Sequence, residues 1–292
     1  MKKNTKSILL LVTLMIYLLL CLFNPNQVTN NILDYSLLFL KRLFPVSFIF
    51  FIISRLLIDY GLLDIIYKYL NLNSSKLYVF IISIISGFPS GAKYTRDLLE
   101  SNYINTTEAN QIIKYCHFPN PLFVLGTVSL ILNDNLALKI LIAIIISNFI
   151  IFIFNYHSTS IIPNNSNNNT LASNLNKAIV NSFNTIINIY GTSLFFYLFS
   201  TLTTKYFCFN SYLYTFISGL FDLTNGIFTT SLINNTLIQS YFVLLFISFG
   251  SISIHIQVNN LIANSSINYI EYLKGRIIGT IIAFIIFNLL LI

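Results

Sequence analysis

Apolar residues in this chain come in runs that repeatedly stop, or break, where a bilayer-crossing helix should continue. Ile8–Phe23 is a run of 16 residues behind a basic Met1-Lys-Lys-Asn-Thr-Lys6 start. At 1.5 Å per residue it rises about 24 Å, slightly short of a hydrocarbon core of about 30 Å. Asn24–Asn31 is polar and turn-rich, and Ile32–Arg42 reads as an amphipathic lead-in to an apolar span from Phe44 to Leu57. Pro45 falls in the first turn of that span, where a missing N–H does no harm. Arg55, Asp59 and Asp64 then mark a return to an interface. Leu136–Tyr156 is the cleanest crossing, with 21 mostly apolar residues, and Ile179–Leu202 and Ile277–Ile292 are two more.

The remaining apolar stretches are interrupted. Leu77–Ile85 ends in Ser86-Gly-Phe-Pro-Ser-Gly-Ala-Lys93, and the following arm to Tyr103 carries Lys93, Arg96, Asp97 and Glu100. That arm is too charged to face lipid, so a re-entrant hairpin or an arm in a wet cavity is expected. Asn105-Thr-Thr-Glu108 has the form of a capping box, starting a helix to about His117. Phe118-Pro-Asn-Pro121 breaks that helix before Leu122–Leu132 resumes it. In the second half, Tyr212–Leu220 is broken by Phe221-Asp-Leu-Thr-Asn-Gly226. Leu237–Ser248, which follows Ile227–Ile233, is broken by Phe249-Gly-Ser-Ile-Ser253. Unwound backbone persists in a bilayer only when buried in protein or lining a cavity, because lipid offers no hydrogen bonds. The breaks are therefore the candidate site.

Their spacing suggests two related halves, 32–156 and 175–292, joined by the Asn-rich connector Pro163–Asn169. Ile85-Ser-Gly87 aligns with Ile217-Ser-Gly219, which sets Phe118-Pro-Asn-Pro against Phe249-Gly-Ser-Ile. Matching interrupted segments in two halves point to a secondary-transporter site. With one re-entrant hairpin and three crossings in each half, the repeats would be inverted. The expected fold is all-α: one polytopic membrane domain over 1–292, with broken or re-entrant helices meeting near the bilayer midplane.

Composition agrees. Of 292 residues, 55% are apolar and 9% charged, where a soluble domain carries about 25% charged residues; the mean hydropathy is +0.76. The net charge of +7 reflects few acids, and its cations sit at segment ends. No clustered basic stripe suggests nucleic acid. The basic start places the N-terminus in the cytoplasm by the positive-inside tendency. No small-x-small site follows Phe23, and Leu20 is too large for a lipoprotein signal before Cys21, so an uncleaved first helix is expected. Cys21, Cys116 and Cys208 lack metal-ligand spacing, and no cofactor is expected.

Chemistry is sought at the breaks. Ser90-Gly-Ala-Lys93 would be a helix N-terminus suited to a small anion, with Ser90 as cap, Lys93 adding a full charge, and Gly87 and Gly91 admitting a ligand to the backbone. The string fails as a P-loop because Ala92 and Tyr94 flank the lysine. Asn120 offers a donor and an acceptor to a ligand, or caps the freed backbone. Asp222, with Thr224 and Asn225, forms a polar cluster in the second half. It would bind a coupling cation or proton, or pair with Lys93. His255, between Ser253 and Gln257, and His117 at the second break either sense protons or pack; His157 needs no role. No HExxH, GxSxG or clustered Cys–His set is present, so enzyme chemistry is not expected.

These stretches, with Gly219-Leu-Phe-Asp-Leu-Thr-Asn-Gly226, Phe249–Val258, Lys41-Arg-Leu-Phe-Pro45 and Gly275-Arg-Ile277, resemble the YlbJ (SpoVV) type of sporulation integral membrane protein. That family belongs with nucleoside-recognition gate domains and is similar to concentrative nucleoside transporters. The resemblance implies export of dipicolinate, a small aromatic dianion, from the mother cell across the outer forespore membrane. Ser251 and Asp222 depart from the pattern, standing where a small residue such as glycine and a glutamate are commoner. On this reading Lys93 neutralises a carboxylate, Ser90 and Gly91 donate hydrogen bonds, Asn120 orients the ring, and Ser253 and Gln257 complete the site. A proton- or sodium-coupled importer of nucleosides or similar small molecules, and a non-transporting spore-envelope assembly protein, are the alternatives. The partners expected are the substrate anion and the bilayer, with a homo-oligomer left open.

Overall fold

In the computed structural model of the chain, which describes residues 2–62, 74–156, 170–205 and 209–292, asparagine starts many of the helices. The side chains of Asn105, Asn133, Asn210, Asn235 and Asn268 each accept a backbone N–H from the first turn that follows. Such caps satisfy donors that lipid would leave unpaired. Asn105 and Glu108 form the expected capping box, with reciprocal bonds of 2.9 and 3.0 Å.

The described residues form helices and no strands. They run α1 (Lys2–Phe23), α2 (Pro25–Leu38), α3 (Phe44–Asp59), α4 (Ser74–Ser86), α5 (Ser90–Glu100), α6 (Thr106–Ile112) and α7 (Pro121–Phe123). Then follow α8 (Asp134–Phe154), α9 (Leu171–Lys205), α10 (Ser211–Phe221), α11 (Leu223–Thr229), α12 (Thr236–Phe249), α13 (Ile252–Ile262) and α14 (Tyr269–Leu291). Four stretches among the described residues are long and apolar enough to cross a membrane: Asp134–Phe154, Leu171–Lys205, Thr236–Ile262 and Tyr269–Leu291. A fifth arises if Ser7–Phe23 and Pro25–Lys41, bent by 98° to each other, form one span. Fold class and membrane character are as the composition predicts.

Several boundaries differ from expectation. Asn24–Asn31 is not a turn-rich loop: Asn24 is the cap position of α2, and Pro25 is the first residue of that helix. Pro45 falls in the first turn of α3, as expected, yet it does not start a separate helix. It lies inside a continuous helical path, just past a π-helical turn at Phe39–Leu43 in which the Phe44 N–H reaches back to the Phe39 carbonyl. The wider turn accommodates a ring that would otherwise press on the preceding turn. The capping-box helix ends at Ile112 rather than near His117, and α9 and α14 start earlier than their apolar runs. Asp64, His157, Cys208 and the connector Pro163–Asn169 lie outside the described residues.

α9 is the organising element. Its 35 residues would extend roughly 52 Å, and it packs against α3, α10 and α13, with α2 and α1 alongside. α8 and α14 pair along their length, with buried Ala137, Ala143 and Ala283 and the small Gly279 letting the backbones approach. α1 exposes Leu9, Leu11, Ile16 and Leu22, the surface of a helix facing lipid rather than water.

Candidate functional site

All four helix breaks converge on one cavity. It has a volume of about 60 Å³, and its wall takes Phe88 and Pro89 from the first break, Asn120 from the second, Asp222 and Thr224 from the third, and Ser253 and Gln257 from the fourth. Tyr35 of α2, Phe39 of the π-helical turn that follows it and Ser193 of α9 close it. Beside it lies a larger polar cavity of about 260 Å³, sharing Gln257 and Ile189 with the first. Lys93, Arg96, Asp97 and Glu100 of α5 form one wall of this outer cavity. The facing wall is the α9 stripe Asn181, Asn184, Thr185, Asn188 and Thr192. The charged arm is thus turned onto a cavity, as its charge density requires.

The candidate residues divide into three groups. Asn120, Asp222, Thr224, Ser253 and Gln257 meet in the inner cavity. Lys93 lines the outer one, where Gln257 also reaches. Gly87, Ser90, Gly91 and Asn225 line neither cavity and hold the breaks in shape.

The first break is sealed by its own atoms. Ser90 is not the cap: Pro89 occupies that position, and Ser90 is the first helical residue. Its buried hydroxyl bonds the Gly87 carbonyl and lies 2.7 Å from Ser86 Oγ. Gly91 does not open the backbone to a ligand either, since a Cβ there would overlap the Cys116 carbonyl. Gly87 has φ +77°, and its missing side chain makes room for the Asn120 backbone. The Phe88 N–H donates to the Phe118 carbonyl at 2.6 Å, so the first two breaks are stitched together. The glycines serve helix-to-helix approach; the anion site expected at this helix start is occupied by protein.

Lys93 and Asp222 do not pair. Lys93, 5% exposed, holds Asp97 at 2.9 Å and stands 5.5 Å from the centre of the Phe51 ring. Arg55 reaches the same carboxylate at 3.7 Å, and Arg96 holds Glu100 at 2.6 Å. Asp222 caps α11, accepting the Asn225 N–H at 3.0 Å and the Ser253 hydroxyl at 3.3 Å. Asn225 sends its amide back to Ser200 at 2.9 Å, steadying the turn. Asn120 caps the freed backbone, its oxygen accepting the Leu122 N–H at 2.8 Å, and the residue also lines the inner cavity. Gln257 is held by a 2.6 Å bond to Ser193.

His117 and His255 line neither cavity. They pack edge-on to Tyr272 at 4.6 and 5.4 Å, and His255 also lies 3.3 Å from the Tyr269 hydroxyl.

Two features escaped the sequence reading. The α9 amide stripe falls at spacings of three and four residues, the period of one helix face, and that spacing was the signal available within a span read as plain. The second is the role of Arg276, which the sequence marked only as part of a resembling stretch. Arg276 is buried among carbonyls, donating to His117 O at 3.3 Å and Ser248 O at 3.1 Å, and to Asn148 Oδ1 at 3.0 Å. It thereby ties the second break to the fourth, satisfying carbonyls left free at helix ends.

No protein-family model matches the chain, and no solved structure matches it significantly. A segment of 108 residues is 32% identical to the sporulation integral membrane protein YlbJ of Bacillus subtilis (strain 168). The match covers 34% of this chain and 26% of that protein, about a quarter of the relative's length. The chain is an all-helical membrane protein with partial similarity to a sporulation integral membrane protein.

Proposed function

We propose that this chain is a transporter of a small organic anion, with dipicolinate as its substrate, acting during sporulation in the mother-cell or outer forespore membrane with its N-terminus in the cytoplasm. The observation that carries the reading is the convergence of four helix breaks on a cavity beside a larger polar one. Buried polar walls in an apolar bundle are costly unless they serve a passenger. The substrate occupies the outer cavity. One carboxylate displaces Asp97 from Lys93, and the α9 amides bond the rest. The two stretches 32–156 and 175–292, each with its broken helices, are related halves whose relative motion opens the cavity to one side and then the other. The sporulation role draws on the name of the similar protein from Bacillus subtilis.

One observation favours a second reading. The outer cavity's two cations are each paired with an acid, and its amide stripe suits a neutral heterocycle such as a nucleoside. The test is uptake of radiolabelled dipicolinate and uridine by liposomes containing the purified chain. Dipicolinate uptake should appear, and Lys93→Ala should cut it roughly tenfold or more, the worth of one charge-assisted hydrogen bond. Uridine uptake without dipicolinate uptake would select the second reading. Uptake of neither, with spore dipicolinate unchanged on deleting the gene, would leave the assembly role.

A further inference from the structure

Asp222 lines the inner cavity as an acid without a base. It is 2% exposed, and among the residues whose side chains are described no lysine, arginine or histidine stands within ion-pair distance of it. The other acids of this region, Asp59, Asp97 and Glu100, all have cations beside them. A buried carboxylate without a counter-charge is strongly disfavoured unless it can take up a positive charge. Asp222 is also placed in the path of a passenger, since Gln257 belongs to both cavities. A substrate held at Lys93 therefore meets the carboxylate as soon as it moves inward.

For a substrate that is itself an anion, on which reading this inference rests, that meeting is repulsive. Two negative charges sharing one desolvated space repel far more strongly than in water. We infer that Asp222 takes up a proton before the anion enters the inner cavity, so that each passenger crosses with one proton. The proton adds to a carboxylate oxygen of Asp222 on one side of the membrane and leaves from it on the other. No bond in the passenger changes.

The donor set around Asp222 disfavours a metal cation. Oδ1 faces the Asn225 N–H and Oδ2 the Ser253 hydroxyl, so hydrogens rather than oxygens already point at the carboxylate. A hard cation wants about six oxygen ligands around it, and among the described residues no group of three acids, histidines or cysteines is placed to hold one. The ionisable group that shares the cavity wall with Asp222 is Tyr35 of α2, and Tyr197 of α9, Tyr214 of α10 and the exposed Asp34 of α2 are the other titratable groups nearby. His255 of α13 is turned away, against Phe249 and Tyr272. None of these supplies a fixed positive charge to replace the proton.

The experiment uses liposomes holding the full chain, loaded with a pH-sensitive dye and with the membrane potential clamped at zero. An imposed difference of one pH unit should concentrate radiolabelled dipicolinate about tenfold in the alkaline lumen if one proton travels with each passenger. Adding dipicolinate should acidify that lumen. In Asp222→Asn, uptake should no longer vary with pH and the accumulation ratio should fall to one; Asp222→Glu should restore both. Size-exclusion profiles identify variants that fail to fold. Infrared difference spectra of the wild type should show a protonated-carboxyl band on acidification that is missing in Asp222→Asn, whether or not any substrate is transported. Uptake without proton movement, accumulation driven by a sodium gradient instead, or an unchanged carboxyl band in Asp222→Asn would each overturn the inference. If the wild type carries uridine and not dipicolinate, the anion reading fails by itself, and the carboxyl band still decides whether Asp222 takes up a proton.

Discussion

A Cβ placed on Gly91 would run into the Cys116 carbonyl, whereas one on Gly191 would meet nothing within 4 Å. The contrast separates two uses of glycine in one chain. Backbone cannot yield as a side-chain tip can, so Gly91→Ala should lower stability by about 1–3 kcal/mol. Gly191→Ala, in the interior of α9, should raise it by up to about 1 kcal/mol through helix propensity. Thermal melting of the detergent-purified variants checks both, and equal melting temperatures would remove the close-approach role of Gly91. At the same scale, the proposed anionic passenger would compete with Asp97 for Lys93. Asp97→Asn should therefore tighten anion binding roughly two- to fivefold, the worth of a partly solvated ion pair. Titration of the purified protein with dipicolinate measures it; weaker binding would make Asp97 part of the site rather than a competitor. The sequence marked Lys93 as a candidate, and the structure turns it onto the outer cavity. The sequence did not show the lysine's partner, because four spaced charges on one helix allow local and distant pairings alike.

Elements were legible where their signal is local. The Asn105–Glu108 capping box, the break after Ser86 and the break after Phe249 all stand as read, since each depends on residues within a turn or two. Asn105→Ala should cost about 1 kcal/mol, the usual worth of such a cap. It should lower the melting temperature while leaving transport intact, and a loss of transport at full stability would place α6 in the mechanism instead. Where the reading failed, packing decided. Asn24–Asn31 looked like a loop by composition, yet the side chains of Asn24 and Gln27 both bind Lys205 at the end of α9, and Asn31 bonds Thr201. These distant partners hold a polar segment in a helix that its own propensity would not favour. The π turn at Phe39–Leu43 was likewise invisible, because a one-residue widening leaves no compositional trace.

At the scale of the molecule, the outer cavity is an alternating-access vestibule only if it opens to water on one side at a time. Asn188 faces it from α9. A single cysteine at Asn188, with Cys21, Cys116 and Cys208 replaced, should react with a membrane-impermeant thiol reagent from one side, and added substrate should slow the reaction. Labelling that substrate leaves unchanged would move the binding place elsewhere. By itself the sequence determined that the chain lives in lipid, that its helices are interrupted at four places, and that a capping box at Asn105–Glu108 starts one of them. Each of these follows from hydropathy and hydrogen-bond capacity within a few residues. The tertiary structure alone decided that the four breaks meet, that Lys93 pairs with Asp97 rather than Asp222, that an amide stripe on α9 forms a wall, and that Arg276 ties two breaks together. Those outcomes depend on the angles and rotations at which distant helices pack, and no local pattern encodes them.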